Sequence, residues 1–518
     1  MMGSVWGKGW GVGLGAGLLA LTLGQPARAE WMEAKSAHFT VYGDTSESEL
    51  RARTVKLERF DAALRGLLKV PDGGSATIYI VRLDDIRKFS GASNVLGFYR
   101  PNYQGAVGFI PLSINASDKI NPTQIMFHEY THHILLSSEL VAYPGWATEG
   151  LAEFFSTTKF DAEGNAIVGG APTIRQYSIG QQHAWSVSEL LDSDSKPPKD
   201  DAKEELYSRG WALTHYLLLS GKRPGQFFQY INLLNKGGEP LEVGRKVFGN
   251  LDKLDSEVEA YIRQPSFPSS VIKASNANLA QEVAVRKLSA GEVAIMPYRL
   301  ESANGVNSTT APILAQRARP VASRFPDDPA VLRAMTEIAY DAKAYDEADA
   351  DAQHLLALQP DNVMGLAYRG RVMAQRAKAS GKAEDWDGAR SLFLKANRAD
   401  PNHALPFVLY YDTFGAQGIA APAAAANGLY RAAVLVPADF SVRLRAALQL
   451  VRDGDRKTAH DLIAPAAINA EINDNPYRKL IKAFDEGASA DALMAKAKEL
   501  KLDPNEFAER PKEKKADK

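Results

Sequence analysis

Asn121-Pro-Thr-Gln-Ile-Met-Phe-His128-Glu129-Tyr-Thr-His132-His133 is the stretch on which the reading of this chain turns. Asn121 suits a helix N-cap, Pro122 the first helical position, and Gln124 at N3 completes a capping-box-like start. Ile125, Phe127, Leu135 and Leu136 carry the helix onward. On such a helix His128 and His132 stand one turn apart on the same face, where both imidazoles can reach one cation. Glu129 lies about 100° further round, near that cation without binding it, where a general base for an activated water must stand. Two histidines satisfied inside a buried helix are the alternative reading, and the next motif weighs against it.

That motif is Pro144-Gly-Trp-Ala-Thr-Glu149-Gly150-Leu-Ala-Glu153-Phe154, which opens a second helix. Glu149 lies 17 residues beyond His132 and can supply a third, carboxylate ligand. Gly150 removes side-chain bulk where two helices approach closely. Glu153, one turn after Glu149, can accept from the outer nitrogen of a ligand histidine and so hold its tautomer. HExxH followed by W-x-x-E-G-x-A-E resembles the gluzincin metallopeptidases, the superfamily of thermolysin and the zinc aminopeptidases. The resemblance implies Zn2+ on His128, His132 and Glu149, with Glu129 as base and acid and Glu153 supporting the first histidine. It also implies a peptide or protein substrate, and that the strand Gly105–Ile110 before the helix is a sheet edge to which the substrate adds. The chain lacks the G-x-M-E-N type string of the aminopeptidases, which points to an endopeptidase, and it lacks a thermolysin-like Asn-Glu string. The likeness is therefore to the superfamily.

Gluzincins often stabilise the oxyanion with a Tyr or His from a downstream helix. Here Glu205–Ser220 reads as a helix with Tyr207, Trp211 and His215 on one face. Tyr207 is the first candidate and His215 the second, although an ordinary core role is open to each. His133 points away from the ligand face. No role is assigned to it, nor to His38, His183, His354, His403 or His460.

Around these motifs the first region reads as mixed. Phe39–Gly43 and Ala76–Val81 are β-branched or aromatic and read as strands, with an amphipathic helix over Ser46–Val70 between them. Val95–Arg100 and Gly105–Ile110 flank Pro101–Gln104 as a hairpin. The remainder to about 265 is mainly helical, broken at Asp192–Asp201. Further on, Phe325-Pro-Asp-Asp328, Gln359-Pro-Asp-Asn362, Asp400-Pro-Asn-His403 and Val436-Pro-Ala-Asp439 share one pattern. Their prolines are spaced 34, 41 and 36 apart, and Ala348, Ala389 and Ala425 each precede one by twelve residues. Gly454-Asp-Arg-Lys-Thr-Ala459 echoes the strings that end at those alanines. A helix pair closed by a Pro-containing turn, with Ala at the helix contact, resembles the tetratricopeptide repeat (TPR), with a generic α-hairpin array as the alternative. The surplus in the 41-residue unit maps to Lys378–Asp385.

The fold expected is an α+β metallopeptidase domain, a small mixed or antiparallel sheet plus helices, followed by an all-α TPR-like domain. The expected divisions are a signal peptide over 1–29, the metallopeptidase domain over 30–268, a helical linker over 269–320, repeats over 321–470, C-terminal helices over 471–507 and a charged, disordered tail over 508–518. A length of 518 residues supports several cores of this kind. Zero cysteines exclude disulfides, thiolate metal sites and a cysteine nucleophile, so any metal must sit on His, Asp or Glu. The apolar run Gly11–Gly24 and the Ala-x-Ala before Glu30 read as a secretory signal, with an uncleaved anchor as the alternative. Removing 1–29 leaves 59 basic against 62 acidic residues, a balance that argues against a phosphate-neutralising nucleic-acid binder. Export without cysteine fits a bacterial periplasm, secretion beyond it being the alternative. No later segment is long and apolar enough to span a membrane. The function expected is a zinc peptidase whose repeats bind a protein partner or substrate. The alternative is a weakly active peptidase-like scaffold acting through its repeats in envelope assembly.

Overall fold

The structure, a computed structural model, describes residues 30–70, 75–114, 121–137, 141–179, 185–193, 203–273, 282–468, 475–502 and 507. The expected signal peptide (1–29) and charged tail (508–518) lie outside the described residues, as do His183 and most of the expected loop after Asp192.

The first unit runs β1 (Trp31–Lys35), β2 (Phe39–Asp44), α1 (Glu47–Leu68), β3 (Ala76–Val81), α2 (Leu83–Ser90), β4 (Phe98–Arg100), β5 (Ala106–Pro111), α3 (Pro122–Leu136) and α4 (Gly145–Ser156). It continues with β6 (Lys159–Phe160), β7 (Ala166–Val168), α5 (Gln176–Ile179), α6 (Val187–Leu191), α7 (Lys203–Leu219), α8 (Gln226–Leu234), α9 (Pro240–Phe248), α10 (Leu251–Ile262), β8 (Ser270–Ile272) and β9 (Ala284–Lys287). Six strands form one mixed sheet in the order β4-β5-β3-β2-β1-β9, and β6-β7-β8 form a small second one. β2, β3 and β5 run parallel, whereas β1, β4 and β9 pair antiparallel with their neighbours. The hairpin is present, but β5 is not the sheet edge expected from the resemblance. β4 covers it, with Phe98 opposite Phe109 and Arg100 opposite Val107.

Period-2 alternation sorts the strand residues onto two faces. Phe39, Val41, Ile78, Ile80 and Ile110 pack on one side with Phe60 and Leu64 of α1 and Phe127 and Tyr130 of α3. Tyr42, Tyr79, Val81 and Phe109 pack on the other with Ile86 of α2 and with Met296 and Leu300 from beyond residue 287. The stretch read as a helical linker, 269–320, therefore first supplies β8 and β9 to the sheets and then a helix that covers one sheet face.

That helix, α11 (Ala290–Asn304), pairs with α12 (Thr310–Ala322). Five more pairs follow among the described residues: α13 (Pro329–Asp341) with α14 (Tyr345–Leu358), α15 (Val363–Ser380) with α16 (Asp385–Ala399), α17 (Ala404–Gln417) with α18 (Ala423–Leu435), α19 (Phe440–Arg452) with α20 (Arg456–Ile468), and α21 (Pro476–Asp485) with α22 (Ala490–Glu499). The chain thus ends in a long all-helical repeat array that begins at 290, earlier than the expected 321. The recurring tetrapeptides are turns between pairs. In each, the residue two positions after the proline (Asp328, Asn362, His403 or Asp439) caps the next helix through its side chain. Ala348, Ala389, Ala425 and Ala459 are fully buried in the second helix of their pairs, where a larger side chain would hold the helices apart. The surplus of the long unit lies partly in α15 itself, which runs to Ser380 before its loop. Among the described residues, no helix is long and apolar enough to cross a membrane.

Candidate metal centre

α3 begins as its sequence directs. The Asn121 side chain accepts from Thr123 N at 2.9 Å, and the Gln124 side chain reaches back to Asn121 N, so the capping box closes. The helix is anchored by Phe127, whose ring stacks on Phe60 at 4.1 Å between centroids. Tyr130 adds a hydroxyl that donates to the buried Asp61 at 2.6 Å. These contacts set the rotation of α3 and leave His128 and His132 facing Glu149 of α4.

α4 brings Glu149 to the two imidazoles because it crosses α7 at glycine. A Cβ on Gly150 would lie 2.7 Å from the carbonyl carbon of Gly210, and one on Gly210 would lie 2.6 Å from the carbonyl oxygen of Trp146. Neither position tolerates a side chain without parting the helices. The reading of Gly150 as a site of close helix approach thus finds its partner in Gly210.

The three ligand candidates converge. His128 Nε2 lies 3.2 Å from His132 Nε2, and Glu149 Oε2 lies 3.4 Å and 3.6 Å from those two nitrogens. A four-coordinate ion with bonds of about 2.0–2.2 Å holds its ligand atoms roughly 3.3–3.6 Å apart. The spacing therefore suits a tetrahedral divalent cation with one position left for another ligand. All three side chains are largely buried.

Around this trio sit three further groups. Glu153 Oε1 is 3.8 Å from His128 Nδ1 and accepts from Arg175 Nε at 2.9 Å. The Arg175 guanidinium also lies over the Tyr207 ring, 4.6 Å from its centroid. Burial opposes the charge on Arg175, but Glu153 outweighs it and raises the pKa above the ordinary guanidinium value. Tyr207 faces His128, ring centroid to ring centroid 6.0 Å. The Glu149 charge pushes its hydroxyl pKa well above the usual phenol value, with burial, Glu129 and Glu153 adding and Arg175 opposing. Tyr207 is thus a protonated hydroxyl, a donor at neutral pH.

His215 is not part of the constellation. It is fully buried, with Nε2 donating to Gly169 O at 2.7 Å and Nδ1 accepting from Tyr261 at 2.8 Å. Both nitrogens are committed to packing α7 against the small sheet and α10, so the second oxyanion candidate is corrected to a structural residue. His133 is buried beside the Tyr99 hydroxyl at 2.5 Å, and burial lowers its pKa to about 3. Sequence reasoning missed Arg175, which carries no local signal. It also missed Gly97, where a Cβ would lie 2.6 Å from Ile125 and 3.2 Å from Glu129. The segment leading into β4 therefore passes directly over the HExxH helix.

Comparison with known proteins adds one family. Residues 124–242 match the model of a family described as "Protein of unknown function (DUF1570)". The matched stretch contains His128, Glu129, His132, Glu149, Glu153, Arg175 and Tyr207, every residue of the centre described above except Gly97. No curated protein matches the chain. Among solved structures, the chain is similar to a thermophilic TPR protein of Thermus thermophilus. The identity is 16%, covering 38% of this chain and 100% of that one, with a TM-score of 0.31. The repeat architecture rests on the six helix pairs rather than on this likeness.

Proposed function

We propose that the protein is a zinc-dependent peptidase, an endopeptidase exported to the periplasm, with its centre on His128, His132 and Glu149. The observation that supports this reading is the near-tetrahedral spacing of the three donor atoms, 3.2, 3.4 and 3.6 Å, with Glu129 adjoining them on α3. Zinc held there would supply a Lewis acid and lower the pKa of a water to about 7. Glu129 takes the proton of the attacking water and passes it to the leaving amine. Tyr207, protonated at neutral pH, donates to the oxygen on which charge develops. Glu153, itself held by Arg175, steadies the His128 ring. The test is zinc content and cleavage of unfolded protein by the wild type and Glu129→Gln. Zinc at one per chain in both, with cleavage in the wild type alone, is the expected result. Absence of zinc, or cleavage untouched by the substitution, rejects the reading.

A second reading is a scaffold in envelope assembly that acts through its repeats. It draws on the exposed apolar side chains of the array, Ile313, Leu358, Leu394, Ile419 and Val434, each at least two-fifths exposed. A partner captured through residues 290–499 and indifferent to Glu129→Gln would favour it.

A further inference from the structure

The turn of the β4–β5 hairpin, Pro101–Gly105, is docked against the repeats through Tyr103. Tyr103 is 8% exposed and belongs to the core cluster of the repeats, with Tyr340 of α13, Tyr368 of α15, Leu405 of α17 and Val442 of α19. Its amide donates to Asp439 Oδ2 at 2.8 Å, while Asp439 Oδ1 accepts from Ser441 N at 2.9 Å and caps α19. One carboxylate thus starts a repeat helix and holds the turn. The Tyr368 hydroxyl donates to Gln104 Oε1 at 2.8 Å, and the Arg445 guanidinium lies 5.4 Å from the centroid of the Tyr103 ring. The site that the repeats offer to a tyrosine-bearing turn is filled by the chain itself.

The other end of the same strand meets the candidate centre. Tyr99 of β4 bonds His133 of α3 at 2.5 Å, and Gly97 packs against Glu129. From the repeats, Arg443 of α19 also donates to Leu136 O at the C-terminus of α3, at 3.4 Å. A single repeat helix therefore touches both elements that position Glu129: the strand β4 through its turn, and α3 through its end.

We propose that Tyr103 is a positioning residue: by docking into the repeat array it holds β4 and Gly97 in place over the HExxH helix, so that the repeats govern the placement of Glu129 from within the same chain. The proposal rests on the peptidase reading for its effect on catalysis but not for its effect on the strand. Two measurements on the full-length protein separate them. The first is hydrogen exchange of metal-free protein. Tyr103→Ala should speed exchange of the β4 amides by about tenfold or more, leave β2 and β3 unchanged, and be reversed in Tyr103→Phe, which keeps the ring in its pocket. Gln104→Ala, a milder change on the same turn, should give a smaller acceleration of the same amides. The second is cleavage of fluorescein-labelled casein by zinc-loaded protein. Tyr103→Ala should lower kcat by about tenfold with KM within about twofold. Unchanged β4 exchange in both Tyr103→Ala and Gln104→Ala overturns the proposal, as does a change confined to KM. If the wild type cleaves nothing, the peptidase reading falls and the exchange result alone decides whether the repeats hold the strand. If Tyr103→Ala unfolds, Gln104→Ala decides it.

Discussion

Replacing Gly150 by alanine tests whether the crossing of α4 and α7 is what brings Glu149 to the two histidines. The new Cβ would sit 2.7 Å from the Gly210 carbonyl carbon and closer still to the Gly210 carbonyl oxygen and the Thr214 hydroxyl, against 3.4 Å for ordinary contact, so the two backbones must part by more than about 0.7 Å. Two energies oppose each other. Alanine is worth about 1 kcal/mol over glycine in a helix interior, and overpacking a tight crossing costs about 1–3 kcal/mol. The net effect on stability is a loss of between about zero and 2 kcal/mol. The ligand geometry is far less forgiving, since metal–ligand distances tolerate only about 0.2 Å. Zinc affinity should fall by at least about tenfold, measured by competition with a chromophoric chelator, with stability followed by urea denaturation of the metal-free protein. Gly66→Ala is the control. It lies exposed in α1 with nothing within 4 Å of the added carbon, so it should stabilise by up to about 1 kcal/mol and leave zinc affinity unchanged. If Gly150→Ala behaves like Gly66→Ala in both assays, the close crossing does not set the position of Glu149.

Tyr207→Phe should lower kcat on unfolded protein by about 10²-fold with zinc content unchanged, because it removes one donor to the oxyanion; an unaltered kcat would return Tyr207 to a packing role. His215→Phe should do the reverse, keeping the kcat of folded protein while costing about 1–3 kcal/mol for each buried partner left unbonded at Gly169 O and the Tyr261 hydroxyl. Phe60→Ala should cost about 3–5 kcal/mol in a urea titration, since it empties a fully buried stack on Phe127. For Glu58, burial would raise the carboxyl pKa, but hydrogen bonds from the ring and backbone of His38 outweigh it and hold the value below its ordinary 4.5. The unfolded state therefore binds the proton more readily, so this contribution is complete above about pH 4.5 and disappears as pH falls through the lowered folded value. The stability gap between wild type and Glu58→Gln should accordingly be wide at neutral pH and narrow in acid, and equal gaps at both would refute the assignment.

Much of the candidate centre was readable because its signals are local. A cap at Asn121, a proline at Pro122 and histidines at i and i+4 are statements about one helix, and α3 obeys them. The repeat pattern was equally local, since a proline followed two residues later by a capping side chain is a turn with its own chemistry. What escaped the sequence was every relation across the fold. β9 returns to pair with β1 some 250 residues later, yet its four residues carry no mark of where they go. The apolar residues on both faces of β2 and β3 required a second covering layer, but nothing in them named α11 as that layer. Pro101–Gln104 read only as the link of a hairpin, and nothing in it marked Tyr103 as a core residue of the repeats.

The chain's own sequence determined the composition of the centre: which side chains stand on the ligand face of α3, and that any metal must be held without thiols. Tertiary structure decided that Glu149 meets them, that Tyr207 joins and His215 does not, and that β4 rather than β5 borders the site. The division has a physical cause. Helical periodicity and capping are settled within a few residues, whereas the distance between two helices is set by what their facing atoms allow, and here Gly150 was legible as a close approach while its partner Gly210 was not.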